Sequence, residues 1–442
     1  MVLMTSTIKN RTLIGVLAAS TLLLGACGAD PATEEIPSSS GGTTPPTSGA
    51  TTPSATETEQ REGEEGELVE SRRAQPRIAV AHEGGILVLD AGDPGAGTAP
   101  SVIDDLPADG YLRLNRAGDG RHIFVSTSDG FRVLDIGSYT QSHGDHSHHF
   151  AGDPSLLQFT VDAVKPGHVV GGSGHAVLFD DKTGKVTDVE LGTMTVSEQF
   201  TLPPHHGIAV RGEDGTYVAT VADAEAKRIG IAEYDASGSE LKRFEQCPGA
   251  HGAAEAGNGA VVVGCTDGAL IHRGGQTVKA TAPDPYGRIA TQVGNGASRF
   301  VLGDYKSDQK AAEEERREHP TRVSIIDVET GDLRLVELGT SYTFRSLAMT
   351  EDGTAVVLGT DGKLHLIDPG TATEIRTIDV VDPWEEPDEW QEPRPALAVA
   401  GNRAYVTDPA AGKLHAVALI GGTDPVSVDL PAMPDEIVAT KG

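Results

Sequence analysis

From about residue 77 to residue 442 the chain predicts an all-β fold, and within that class a closed β-propeller. Three observations carry this. Short Val/Ile/Thr runs alternate with turn dipeptides, in a sequence holding 54 Gly and 26 Pro and showing little 3.6-residue apolar periodicity. A unit of about forty residues recurs, the length of one four-stranded blade. The chain also ends in an extra strand, while its first unit lacks a leading one.

The clearest unit places strands at 346–349, 355–359, 363–368 and 374–379, with turns at Glu351-Asp352-Gly353 and Asp361-Gly362. Fragments of it recur at 78–90, 120–135, 174–180, 216–232, 260–272, 299–327 and 403–417, making eight units in all. Eight blades are expected, with seven the alternative. The terminal strand 435–439 is expected to complete the first blade and close the ring, which removes free sheet edges. His365 and His415 fall inside strands and read as structural or surface residues.

Upstream of the repeats, Lys9 and Arg11 precede an apolar stretch, 13–24, that is too short for a comfortable membrane span. It ends in Leu24-Gly25-Ala26-Cys27, which resembles a bacterial lipobox. That resemblance implies a signal peptide over 1–26, cleavage before Cys27 and lipidation of Cys27. Residues 27–76 then form a Thr/Ser/Pro/Glu-rich linker that cannot bury enough apolar surface to order itself. No later segment reads as a membrane span, so the lipid is the expected anchor, on the outer face of the cytoplasmic membrane. A formal net charge of -30 argues against nucleic acid and against docking on anionic lipid. A monomer is expected.

The block His143-Gly144-Asp145-His146-Ser147-His148-His149 puts four imidazoles and a carboxylate together without Lys or Arg. Imidazole nitrogen and carboxylate oxygen are the ligands Zn²⁺ accepts. In one extended strand, His146 and His148 face one side, with His143, Asp145 and His149 on the other. A solvated polar loop is the bland alternative.

Histidines also recur where units begin: Pro166-Gly167-His168, Pro203-Pro204-His205-His206-Gly207 and Cys247-Pro248-Gly249-Ala250-His251-Gly252. If these positions are equivalent, His168, His251 and one of His205 or His206 converge near the axis. Adjacent residues face opposite ways, and His206 is preferred. The alternative for each is a buried hydrogen-bonding residue beneath its blade. Cys247 and Cys265 remain as an even pair in an oxidising compartment, and their spacing suits a disulfide. A Cys₂ zinc set is the alternative, without CxxC spacing to support it.

The propeller, the export signal, HGDHSHHF (143–150), PPHHG (203–207) and CPGAHG (247–252) with a second Cys at 265 together resemble the AztD-like periplasmic zinc metallochaperones. The likeness spans most of 77–442, and its specificity lies in the combination of blocks. It implies a non-enzymatic carrier of Zn²⁺ that serves the solute-binding protein of a zinc ABC transporter. The ligand candidates it implies are His143, Asp145, His146, His148, His149, His206 and His251, with His168 added by blade position. The lipobox and linker depart from a freely diffusing form. The run after His251-Gly252 departs from the family pattern as well, since an acidic residue is expected there but Ala253 and Ala254 stand before Glu255. Ligand exchange is the implied mechanism, with affinity falling as pH drops through the histidine pKa near 6.5.

Two readings from other classes remain at this point. A metal-dependent propeller hydrolase or lactonase needs an open metal position and a base, for which Asp145 and Glu255 are candidates, but no nucleophile elbow or HExxH motif is present. A tethered protein-interaction propeller would carry its histidines incidentally. The charged run 313–319 reads as an exposed, salt-bridged loop or short helix, and Trp384–Trp390 as a docking loop or a plain blade connection.

Overall fold

The computed structural model describes residues 68–442. The expected signal peptide, Cys27 and most of the stretch read as linker lie outside the described residues. Among the described residues, no helix is long and apolar enough to cross a membrane.

Among the described residues, eight antiparallel sheets of four strands, one of them extended by the two-residue parallel strand Gly287–Arg288, build a β-propeller. Numbered in order around the ring, their leading strands are Pro434–Thr440, Arg113–Arg116, Pro166–Gly172, Ala209–Arg211, His251–Ala256, Gln292–Val293, Leu347–Met349 and Leu397–Ala400. Each heads a run of three strands that follow it outward. The exception is the first sheet, where the C-terminal strand Pro434–Thr440 pairs with Arg77–His82 and so closes the ring.

Eight apolar clusters fill the gaps, each shared by two neighbouring sheets. Phe124, Leu157, Leu178 and Val189 join the second sheet to the third. Ile78, Leu89, Tyr405 and Leu414 join the eighth back to the first. Alternation along each strand sends one set of side chains into each gap, and truncating one such Leu or Ile to Ala costs about 2–5 kcal/mol. Outermost strands such as Ser101–Pro107 and Thr195–Thr201 are mostly exposed. Leading strands carry small or β-branched residues where they crowd the axis: Val170, Ala254, Val293, Ala348, Val399 and Ile437 line a central cavity of about 480 Å³.

One excursion interrupts this plan. Between the third and fourth strands of the second sheet, Ser138–His143 and His146–Ala151 form a hairpin, and Val69–Ser71 pairs with its second strand. A strand is therefore present at Val69–Ser71, inside the stretch read as linker.

Chain direction places the hairpin. The third strand of an antiparallel sheet runs parallel to the first, so the hairpin leaves from the rim opposite the starts of the leading strands. Its Thr140 hydroxyl accordingly donates to the carbonyl of Gly442, just beyond the end of Pro434–Thr440.

The residues read as structural are so. His365 is buried and bonds Glu374 at 2.6 Å, and His415 lies 3.6 Å from Asp408. In the charged run, Arg316 pairs with Glu314 at 2.7 Å, just past a short helix, Gln309–Glu313, capped by Asp308. Arg317 donates to the carbonyls of Pro387 and Asp388 and thereby ties this run to the Trp384–Trp390 loop.

Candidate metal centre

His168, His206 and His251 come from three different stretches of chain, and each offers a ring nitrogen within 4.8 Å of the other two. Among the described residues this is the one such group of three potential metal-binding side chains. His168 lies where the pairing register of Pro166–Gly172 shifts. His206 sits in the loop between Thr195–Thr201 and Ala209–Arg211, and His251 opens His251–Ala256.

A glycine beside each histidine permits the approach. Gly252 has φ +67, and a Cβ there would lie 2.2 Å from Gln292 Oε1 and 2.5 Å from the Ala290 carbonyl. A Cβ on Gly167 would meet Asp181, and one on Gly207 the ring of Phe179. The Cys247–Cys265 disulfide joins the loop that leads into His251 to the neighbouring strand Ala260–Cys265.

Hydrogen bonds set the tautomers. His206 donates Nδ1–H to Asp181 Oδ2 at 2.6 Å, and His251 donates Nδ1–H to the Ala290 carbonyl at 2.8 Å. Both partners are acceptors only. A neutral ring that donates from Nδ1 carries a bare lone pair on Nε2. The two Nε2 atoms nonetheless face each other at 3.1 Å. Two lone pairs at that separation repel unless a cation lies between them. Two imidazoles on one tetrahedral zinc, with bonds of 2.0–2.1 Å, stand about 3.3 Å apart. His168 adds a buried Nε2 without a hydrogen-bond partner. Ring centroids are separated by 4.9, 5.1 and 5.1 Å.

Burial, reinforced by the other two rings, holds His168 well below the usual histidine range. Desolvation likewise pushes His251 down to about 3, against the raising effect of its bond to Ala290. Both rings are therefore neutral at pH 7, the form a metal requires. His205 does not join the cluster. It is buried beneath, bonding the Pro203 carbonyl at 2.7 Å and Thr220 Oγ1 at 2.9 Å.

The His-rich block is arranged differently from the single-strand expectation. The chain reverses at Gly144-Asp145, so His143 pairs with His146 and joins the face of His146 and His148. Their ring centroids lie 5.1–6.1 Å apart. Glu70, which sequence reasoning passed over as solvated spacer, accepts from His148 Nδ1 at 2.7 Å. Asp145 Oδ1 is 3.1 Å from His146 Nδ1. His149 faces away, with Nδ1 2.8 Å from Thr140 Oγ1.

Asp181 was also missed. Its signal was an acidic residue directly after His175–Asp180, on the rim where the junction histidines gather. Glu255 lies instead against Gly172, at the far end of the strand that carries His168. The structure thus holds two histidine sets, on opposite rims.

No family model matches the chain. It is 28% identical over 370 residues to the zinc chaperone AztD of Citrobacter koseri, covering 77% of this chain and 84% of that protein. The crystal structure of Citrobacter koseri AztD superposes with a TM-score of 0.71 at 24% identity, over 85% of this chain and 99% of that one. The apo form of the same protein gives 0.70 at 23% identity, over 84% and 98%.

Proposed function

We infer from this likeness that the chain is an AztD-like zinc chaperone, a non-enzymatic carrier that binds Zn²⁺ outside the cytoplasm and passes it to the solute-binding protein of a zinc ABC transporter. The observation that carries the reading is the facing pair of bare Nε2 atoms, 3.1 Å apart, beside the unpartnered Nε2 of His168. Three imidazoles gathered at one rim, with His168 and His251 held neutral by burial, form a ligand set whose geometry already suits zinc. Asp181 and the Ala290 carbonyl orient two of the rings, so little reorganisation accompanies binding.

The hairpin serves as a second, more exposed set, formed by His143, His146 and His148 with Asp145 and Glu70 beside them. Lying next to the point where the linker joins the domain, it meets zinc on the tethered side, while the rim cluster holds its ion at the other end. Transfer proceeds by ligand exchange: an incoming ligand replaces one imidazole at a time, and the ion is never fully released to water.

A hydrolase would need a base at the open position of the rim site. Its two candidates lie elsewhere, Asp145 on the other rim and Glu255 beside Gly172.

The test is zinc titration of the chelator-stripped protein against a calibrated dye. Nanomolar binding that weakens at least a hundredfold in H206A and H251A supports the assignment, about 2.7 kcal/mol or more. Binding that survives both changes and disappears with the hairpin histidines overturns it.

A further inference from the structure

We propose that the open side of the three-histidine site is an anion position, at which Arg228 and Arg288 hold a carboxylate as the fourth ligand of the bound zinc. This rests on the zinc-site reading above and extends it to the chemistry of the partner group.

Three neutral imidazoles leave both charges of Zn²⁺ uncompensated and supply three of the four ligands of a tetrahedral site. The convergent group contains no carboxylate. Asp181, the nearest acid in the hydrogen-bond network, is committed to His206 Nδ1, with Lys165 3.5 Å away.

Cations nonetheless crowd this rim, in a chain with 65 acidic and 35 basic residues. Arg228 reaches the loop that carries His206, its Nη1 3.5 Å from the backbone carbonyl of His206. Arg288 Nη1 packs against Gly249, in the loop that delivers His251. The two guanidinium groups repel each other, and both act electrostatically on His251. Neither has a carboxylate within ion-pair distance among the described residues; Asp181 acts on Arg228, and Asp304 on Arg288, only from farther off.

Two unpaired guanidinium groups beside a divalent cation raise its free energy unless an anion lies among all three. A carboxylate meets the geometry: one oxygen on zinc, the other in the guanidinium fork. Arg288 also lines a cleft of about 730 Å³, whose walls carry Lys306 and Arg316 together with Asp304, Glu315 and Glu318.

Cobalt makes the fourth ligand visible. The full chain carrying H143A, H146A and H148A, which confines the ion to the rim, is loaded with one equivalent of Co²⁺, and its d–d bands are followed during titration with acetate. The expected result is a saturable band shift whose apparent Kd rises at least tenfold in R228Q/R288Q, with cobalt still bound. R228K and R288K keep the charge and lose the fork, so each should weaken the shift less, which separates a local role from a folding defect. A glutamate-containing peptide that saturates at lower concentration than acetate assigns the carboxylate to a protein side chain, and the reverse order assigns it to a free carboxylate.

Bands that stay fixed up to about 100 mM acetate, or a shift of equal affinity in R228Q/R288Q, overturn the proposal while leaving the zinc site standing. Cobalt that fails to bind stoichiometrically, or that remains in H168A/H251A, overturns the zinc site and this proposal with it.

Discussion

Replacing Asp181 with Asn tests whether the cluster is a tuned metal site or a chance gathering of rings. Asp181 is buried, touches no other member of the cluster, and accepts from His206 Nδ1 at 2.6 Å. The substitution keeps side-chain volume and removes one charge. With the amide oxygen toward the ring, Nε2 stays bare and only basicity falls. With the amide NH₂ toward the ring, Nδ1 must accept, the proton moves to Nε2 and the ligand is blocked. Loss of such an orienting partner lowers metal affinity about 10–100-fold, or 1.4–2.7 kcal/mol, with the amide orientation deciding which end applies. Lys165 is the control: its ammonium lies 3.5 Å from the same carboxylate but is largely exposed, and K165A should change affinity by less than about twofold. Dye-competition titration at pH 7 reads both. Unchanged affinity in D181N, with an unchanged thermal melt, refutes the claim that His206 binds metal through Nε2.

Four further outcomes follow from the same structure. Replacing His143, His146, His148 and His149 together with Ala should slow zinc transfer to the partner more than it weakens equilibrium binding at the rim, and an unchanged stopped-flow rate counts against a capture role. Proton release should be small. At pH 6, three ordinary histidines would release about two protons on binding zinc, but with His168 and His251 already neutral at most one is expected by calorimetry in buffers of different ionisation enthalpy. The same depressed values make the apoprotein less stable in acid: the unfolded chain takes up protons at these two sites below about 6.5, so their contribution is complete above that pH and is lost as pH falls toward about 3 for His251. A melt independent of pH between these limits contradicts this. Finally, C247S/C265S opens a loop with a sequence separation of 18, which should cost about 3 kcal/mol in denaturant unfolding and weaken zinc binding by loosening the approach to His251.

Much of this molecule was legible in the chain. Alternating Val/Ile strands, turn dipeptides and a recurring unit are local patterns, and they led to the propeller and to closure by the C-terminal strand. The three unit junctions each placed a histidine beside glycine, and strand alternation implied that only one of His205 and His206 could join the others without deciding which. The hairpin was less well read. Gly144-Asp145 between alternating polar residues is itself a turn signal, and treating the block as one strand put His143 on the wrong face.

Sequence alone therefore determined the fold class, the candidate ligands and the cysteine pair, because each rests on periodicity or on spacing within one stretch of chain. Only the tertiary structure decided which candidates meet. Convergence of His168, His206 and His251 requires successive sheets to turn about a common axis, and Asp181, Arg228 and Arg288 reach the same rim from other strand ends. That distance is set by packing between sheets, and no spacing along the chain encodes it. The separation of the two histidine sets onto opposite rims has the same origin: strand direction, fixed by antiparallel pairing, determines the end of the ring from which each loop leaves.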